Sequence, residues 1–314
     1  MSQLLNWLVR GSELIYGIIL RSAISKIMKA QVSLPILVQR QGSRSVVRQA
    51  RMGDKLVIIK LTEKRNSFPL ESWFYKQVAK VKVPVPSVYF YCARLPFFKL
   101  PCLVISHIDG VPLFSYESDI KSEILLYQEV GILLQRIHSV ELPELSFGVG
   151  AFISSHGRVK DLNWATFVTE THSHPASGLY LSKQDNLVFY SPEELEKLSA
   201  LIDAHRFSAV LNHGDFGPDH IFIEDGHISG VIDPGDAFAG PAEYDIAYLS
   251  CYIESHQLHA VLCGYGRPLN QKMILAYAKL IALDKAARAH RNGQIMRSDY
   301  FKAIAARNYL FTSN

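Results

Sequence analysis

Between Leu211 and Gly240 the sequence reads LNHGDFGPDHIFIEDGHISGVIDPGDAFAG, three histidines and six acidic residues among short apolar runs. Two chemistries use such a set. A metal-dependent hydrolase would take His213, Asp215, Asp219 and His220 as zinc ligands, but such sites favour several His or Cys at tight spacing. Neither H-E-x-x-H nor H-x-H-x-D-H occurs. Phosphoryl transfer asks for a carboxylate to orient and deprotonate a hydroxyl, and for ligands to a divalent cation. It also asks for a strand lysine to hold phosphates, paired with a glutamate on the following helix. VIIK brings a Val/Ile-rich strand to Lys60, and Glu71 opens the next helix. The order strand lysine, helix glutamate, aspartate, hairpin, aspartate favours phosphoryl transfer over zinc hydrolysis.

These residues need elements to hold them. HIFI and HISGVI flank the turn residues Glu224-Asp225-Gly226, which predicts a hairpin. Its open edge would carry His220 and Asp233, with Asp215 in the loop just before. Upstream, LPILVQRQ and SVVRQARMGDKLVIIKL alternate around a Met52-Gly53-Asp54 turn. NSFPLESWFYKQVAK reads as a helix with Leu70, Trp73, Phe74 and Val78 on its apolar face. VPVPSVYFY and LPCLVISHIDG are two further strand candidates, so this half reads β-β-β-α-β-β. From Ser122 the period becomes helical, in EILLYQEVGILLQRIHSV, SPEELEKLSALIDAH and MILAYAKLIALDKAARAHR. The expected architecture is α+β and bilobal, a small β-rich lobe followed by a larger helical one. Its expected segments are an N-terminal amphipathic helix over 1–32, the first lobe over 33–106 and the second over 107–314.

The 314 residues are 48% hydrophobic and 20% charged with a formal net charge of +4. No basic run or aromatic-basic stripe points to nucleic acid. Cys92, Cys102, Cys251 and Cys263 form no C-x-x-C pair, which suits idle thiols in a reducing cytoplasm. At the N-terminus Leu4, Leu8, Ile15, Ile18 and Ile19 share a helical face among basic residues. The apolar run is too short to span a bilayer. A helix packed on the body of the protein is favoured over one lying on a membrane surface.

At the residues named above the chain resembles the aminoglycoside phosphotransferase family, kinase-like enzymes that phosphorylate small molecules. The resemblance spans roughly Leu34 to Gly266. It is carried by His213-Gly214-Asp215, by Ile232-Asp233 with Gly235-Asp236-Ala237, and by Asp245-Ile246-Ala247. VGILLQRIHSV, similar to the family's helix ending in Leu-His, and Gly264-Tyr265-Gly266 extend it. The resemblance implies a protein-kinase-like fold with Asp215 as catalytic base and Asp233 as a metal-chelating aspartate, joined by His220. Lys60 would contact the phosphates of ATP or GTP with Glu71 holding it, and His213 and Asp245 would brace the catalytic loop. The link at Ile105, Ser106 and His107 would be the hinge whose backbone reads the nucleobase. Gly42 and Ser43 in QRQGSRSVV would cover the phosphates.

One position departs from the pattern. The family usually has Asn five residues after the catalytic aspartate; here it is His220, as in some members, macrolide phosphotransferases among them. Imidazole is a softer ligand than an amide oxygen, which brings Mn²⁺ into competition with Mg²⁺. The acceptor, a hydroxylated small molecule, is expected against the helical insertion between Phe147 and Phe207. Glu170, Asp185, Glu193, Glu194 and Glu196 are the acidic candidates there, and Trp164, Phe167 and Tyr180 the aromatic ones. A catalytically weak nucleotide-binding module is the alternative to an active kinase.

Overall fold

The computed structural model describes residues 13–38, 45–62, 67–142, 149–153, 159–164 and 192–308. Gly42 and Ser43 lie outside the described residues, as do Phe167, Glu170, Tyr180 and Asp185. The first lobe begins with α1 (Glu13–Met28). An antiparallel sheet follows: β1 (Ile36–Leu37), β2 (Ser45–Met52), β3 (Lys55–Thr62), β4 (Val88–Cys92) and β5 (Cys102–Ser106), in spatial order β1-β2-β3-β5-β4. Helix α2 (Ser67–Lys80) is inserted between β3 and β4. The Gly53-Asp54 turn joins β2 to β3, with Met52 opposite Lys55 and Gly53 at φ +60°.

Strand alternation divides the faces of this sheet. Val57, Ile59 and Leu61 of β3, with Cys102 and Val104 of β5, pack against Leu20, Ala23 and Ile24 of α1. Leu103 and Ile105 point the other way, into the core that includes Phe74 and Val78 of α2. Lys60 has the parity of that second face, which is why a strand lysine meets a helix glutamate. Packing of α1 on the body agrees with expectation, but by a different stripe. Ile18 and Ile19 are exposed, while Gly17, Leu20, Ala23 and Ile24 are buried. No helix among the described residues is long and apolar enough to cross a membrane.

The second lobe contains β6 (Val111–Pro112), α3 (Ile120–His138), α4 (Pro192–Asp203), α5 (Glu243–Ser250), α6 (Ser255–Tyr265), α7 (Gln271–Arg291) and α8 (Ile295–Ala305). Strands interrupt the helices. The hairpin β7 (Val149–Ile153) and β8 (Val159–Asn163) falls inside the insertion that periodicity had made helical. With β9 (Val210–Asn212) and β12 (Phe238–Gly240) it builds a sheet of order β8-β7-β12-β9. The expected hairpin is present as β10 (Ile221–Glu224) and β11 (His227–Val231). Glu224 pairs with His227, and Asp225 and Gly226 both take positive φ, as a two-residue I′ turn requires. Helices α3 and α6 cross backbone to backbone, because a Cβ on Gly131 or Gly264 would run into the partner helix.

Candidate active site

The site lies where the two lobes meet. Lys60 Nζ donates to both Glu71 oxygens, at 2.8 and 2.9 Å, and to Asp233 Oδ1 at 2.8 Å. Tyr75, one turn after Glu71 on α2, donates to Glu71 Oε1 at 2.9 Å and accepts the Asp233 N–H at 3.0 Å. Lysine, glutamate, tyrosine and aspartate therefore form one closed network across the seam. Burial opposes a charge on Lys60, but Asp233 and Glu71 outweigh it and raise the ammonium above its usual range. Lys60 in turn holds the Asp233 carboxyl well below the usual carboxylate range. Asp233 itself sits at φ +63°, a conformation that Asp tolerates better than most residues.

The loop bearing Asp215 is anchored from below. The buried Asp245 carboxyl of α5 accepts the His213 N–H at 2.7 Å and the Gly214 N–H at 3.0 Å. His138, which ends α3, lies 3.4 Å from the same carboxyl and 3.0 Å from the Tyr265 hydroxyl of α6. The glycine crossing of α3 and α6 is what brings these two residues together. Gly214 has φ +82°, and a Cβ there would strike the Asp236 carbonyl. His213 Nε2 donates to the Ile232 carbonyl at 3.0 Å, and its Nδ1 accepts the Asp215 N–H at 3.3 Å. That pairing requires the neutral ring, and burial lowers its pKa accordingly. His213 thus ties the Asp215 loop to the end of the β10–β11 hairpin.

His220 Nδ1 donates to the Asp215 carbonyl at 2.8 Å. A histidine whose one ring nitrogen is spent on a carbonyl has its other nitrogen oriented for a ligand. Burial works against charging this ring, but Asp215, Asp219 and Asp233 together push its pKa up. The described residues hold no group of three or more His, Cys, Asp or Glu able to cage an ion by themselves. A cation shared with nucleotide phosphates needs only one or two protein ligands, so His220 Nε2 and the Asp233 carboxylate are the groups that could supply them.

The outer side of Asp215 faces α5 and α7. Tyr248 donates its hydroxyl hydrogen to Asp215 Oδ1, and Lys285 donates to the Tyr248 oxygen. Lys285 Nζ also lies 3.7 Å from Asp215 Oδ1 and 4.6 Å from the centre of the Tyr248 ring.

Of the residues expected from sequence, Lys60, Glu71, His213, Asp215, His220, Asp233 and Asp245 converge at this seam. Ser106 ends β5 and His107 follows it; their N–H groups donate to the Ser87 and Leu56 carbonyls, at 2.9 and 3.2 Å. Trp164 is core, donating to the Tyr277 hydroxyl at 2.8 Å and stacking on Phe238. Glu193 is exposed and paired with Lys197. Sequence reading missed Tyr75, Tyr248 and Lys285, and noted His138 only within VGILLQRIHSV, without a role. Helical spacing signals two of them: Tyr75 follows Glu71 by four residues, and Tyr248 follows Asp245 by three. Nothing local signals Lys285.

A β-sheet lobe and a helical lobe, with a buried lysine–glutamate pair and two aspartate-bearing loops at their seam, make a protein-kinase-like fold. The family model described as phosphotransferase enzyme family (APH) matches residues 41–273, and the chain belongs to that family. Solved structures agree in fold. A thermostable mutant of aminoglycoside phosphotransferase APH(4)-Ia in its apo form superposes with a TM-score of 0.69 at 18% identity, covering 91% of this chain and 96% of that one. Spectinomycin phosphotransferase APH(9)-Ia, in complex with ADP and spectinomycin, gives 0.64 at 14% identity over 93% and 95%. A putative fructosamine-3-kinase from Haemophilus somnus 129PT gives 0.65 at 15% identity over 91% and 96%. No curated protein matches the chain in sequence.

Proposed function

We propose that this phosphotransferase moves the γ-phosphoryl group of ATP or GTP to a hydroxyl of a small molecule, with Asp215 as the base. The observation that carries the reading is the contrast at Asp215. Its loop backbone is pinned by Asp245 and His213, yet its carboxylate is 32% exposed at the seam. A fixed carboxylate open to solvent is what a base needs to meet an incoming hydroxyl.

Lys60, held by Glu71, would turn toward the α- and β-phosphates when nucleotide enters. His220 and Asp233 would hold Mg²⁺ or Mn²⁺, which supplies neutralisation of the phosphate charge. Asp215 accepts a hydrogen bond from the acceptor hydroxyl, orients it in line with the γ-phosphorus and takes its proton. Most of the rate gain then comes from positioning and charge neutralisation, since phosphoryl transfer leaves the protein little covalent work. APH(4)-Ia has been solved with hygromycin B and AMP-PNP, and APH(9)-Ia with spectinomycin and ADP. These support a small-molecule acceptor of the aminoglycoside kind; macrolides, related antibiotics and hydroxylated metabolites are the other candidate acceptors.

The test supplies γ-labelled ATP and GTP with Mg²⁺ or Mn²⁺ to wild type and Asp215→Asn. The acceptors are aminoglycosides, macrolides, amino alcohols, sugars and a metabolite extract. The expected outcome is label in one product with wild type, and a loss of about 10²- to 10⁴-fold in the variant. Nucleotide binding without any transfer would instead identify a catalytically weak module.

A further inference from the structure

Asp215 is held by more than its backbone. Three elements meet on its Oδ1 oxygen: the loop after β9, Tyr248 from α5 and Lys285 from α7. The Tyr248 hydroxyl donates to Oδ1. Its own oxygen is in turn occupied by Lys285, so the phenol proton has one place to point. The Lys285 ammonium lies 3.7 Å from Oδ1 and sits over the rings of Tyr248 and Tyr252, at 4.6 and 5.9 Å. Oδ2 receives no hydrogen bond from the described residues and lies 3.8 Å from His220 Nδ1, which is already spent on the Asp215 carbonyl. The two oxygens of one carboxylate are therefore unequal. One is tied down and the other is open.

We propose that Tyr248 and Lys285 are positioning residues for Asp215, which lock its carboxylate in one rotamer and leave Oδ2 as the oxygen that takes the acceptor's proton. The proposal rests on the reading of Asp215 as base. In the step itself the acceptor O–H bond breaks and its proton goes to Oδ2. The acceptor oxygen forms a bond to the γ-phosphorus, and the electron pair of the broken P–O bond leaves on the nucleoside diphosphate. Without the tie on Oδ1, the carboxylate turns about χ2 and presents either oxygen, so the geometry that the hydroxyl must find is populated only part of the time. Asp245 and Tyr248 lie one turn apart on α5, so a single helix fixes both the backbone of the loop and the side chain that reacts. Lys285 keeps its charge there, because the pull of Asp215 and Tyr252 outweighs its burial.

The experiment compares full-length wild type with Tyr248→Phe, Lys285→Met, Lys285→Arg and Asp215→Asn. It follows release of labelled phosphate from γ-labelled nucleotide to water, transfer to the acceptor panel, nucleotide KM and melting temperature. Tyr248→Phe and Lys285→Met are expected to lower kcat about 10- to 100-fold while nucleotide KM stays within about two-fold. Melting temperature should not fall in proportion, and Lys285→Arg should restore most of kcat. A Tyr248→Phe enzyme with wild-type kcat beside a dead Asp215→Asn overturns this proposal alone. So does a loss that tracks melting temperature or nucleotide KM. Full turnover by Asp215→Asn overturns the reading beneath it. Crystal structures of wild type and Tyr248→Phe give a readout independent of turnover. The expected result is one Asp215 rotamer in the former and a turned or split carboxylate in the latter; an identical single rotamer in both overturns the proposal.

Discussion

The two sides of the seam satisfy their charges in opposite ways. On the Lys60 side Lys60 and Glu71 are buried, and every polar atom that they, Tyr75 and the Asp233 amide bring to the seam is spent on another. On the Asp215 side Asp215 and Lys285 remain 32% and 23% exposed, and one carboxylate oxygen is left open. On the proposed reading the closed cluster is a preassembled receptor whose members would exchange partners when phosphates arrive. The open cluster would have less to exchange, because the oxygen proposed to react is already presented. Phosphoryl-transfer catalysis by positioning needs both, a firm grip on the donor and a free oxygen for the acceptor.

Breaking the closed cluster should cost most. Lys60→Met is expected to reduce turnover by about 10²-fold or more. It should also cost about 3–5 kcal/mol in stability by denaturant melts, since Glu71 is left buried without its cation. Adding Glu71→Gln to Lys60→Met should return stability but not turnover; recovery of both would show that the pair is merely structural. Next in size is the anchor beneath the open cluster. Asp245→Ala leaves the His213 and Gly214 N–H groups without their acceptor, so a loss of about 2–5 kcal/mol is expected. A loss well under 1 kcal/mol would mean that the loop is held some other way.

The smallest effect sits behind Lys285. Burial pushes Asp284 up to about 7 against the pull of Arg288, so its folded pKa exceeds its unfolded one. The stability from its protonated form is fully present below the unfolded pKa of about 3.9 and is lost as pH rises through 7. Melting temperatures of Asp284→Asn relative to wild type should therefore shift in favour of the variant between pH 5 and pH 8. A constant difference would show that Asp284 is ionised throughout.

Much of this architecture was legible beforehand. Alternation around Gly53-Asp54 and Asp225-Gly226 specifies both hairpins, since two-residue turns fix register and face together. Strand parity and helix period are local properties, so they carry Lys60 and Glu71 to facing surfaces without knowledge of the rest. Periodicity failed where pairing is not local. The β7–β8 hairpin adds to β12, some ninety residues away, and short strands on distant partners leave little trace in their own sequence. The stripe of α1 was also misassigned, because Ile18 and Ile19 are as apolar as Leu20 and Ile24 and only the position of the sheet chooses among them.

Taken alone, the sequence determined the chemistry available: which carboxylates, histidines and lysine share short segments with fixed turns, and hence which reaction they suit. Tertiary structure decided how each group is held. It spent the amides of Ser106 and His107 inside the lobe, gave Tyr75 to both Glu71 and Asp233, and laid Lys285 against Tyr248 and against Asp215, seventy residues before it. The physical reason is range. Turn and period preferences act over a few residues, whereas a hydrogen bond or ion pair depends on separation in space, which only the packing of helices and sheets sets.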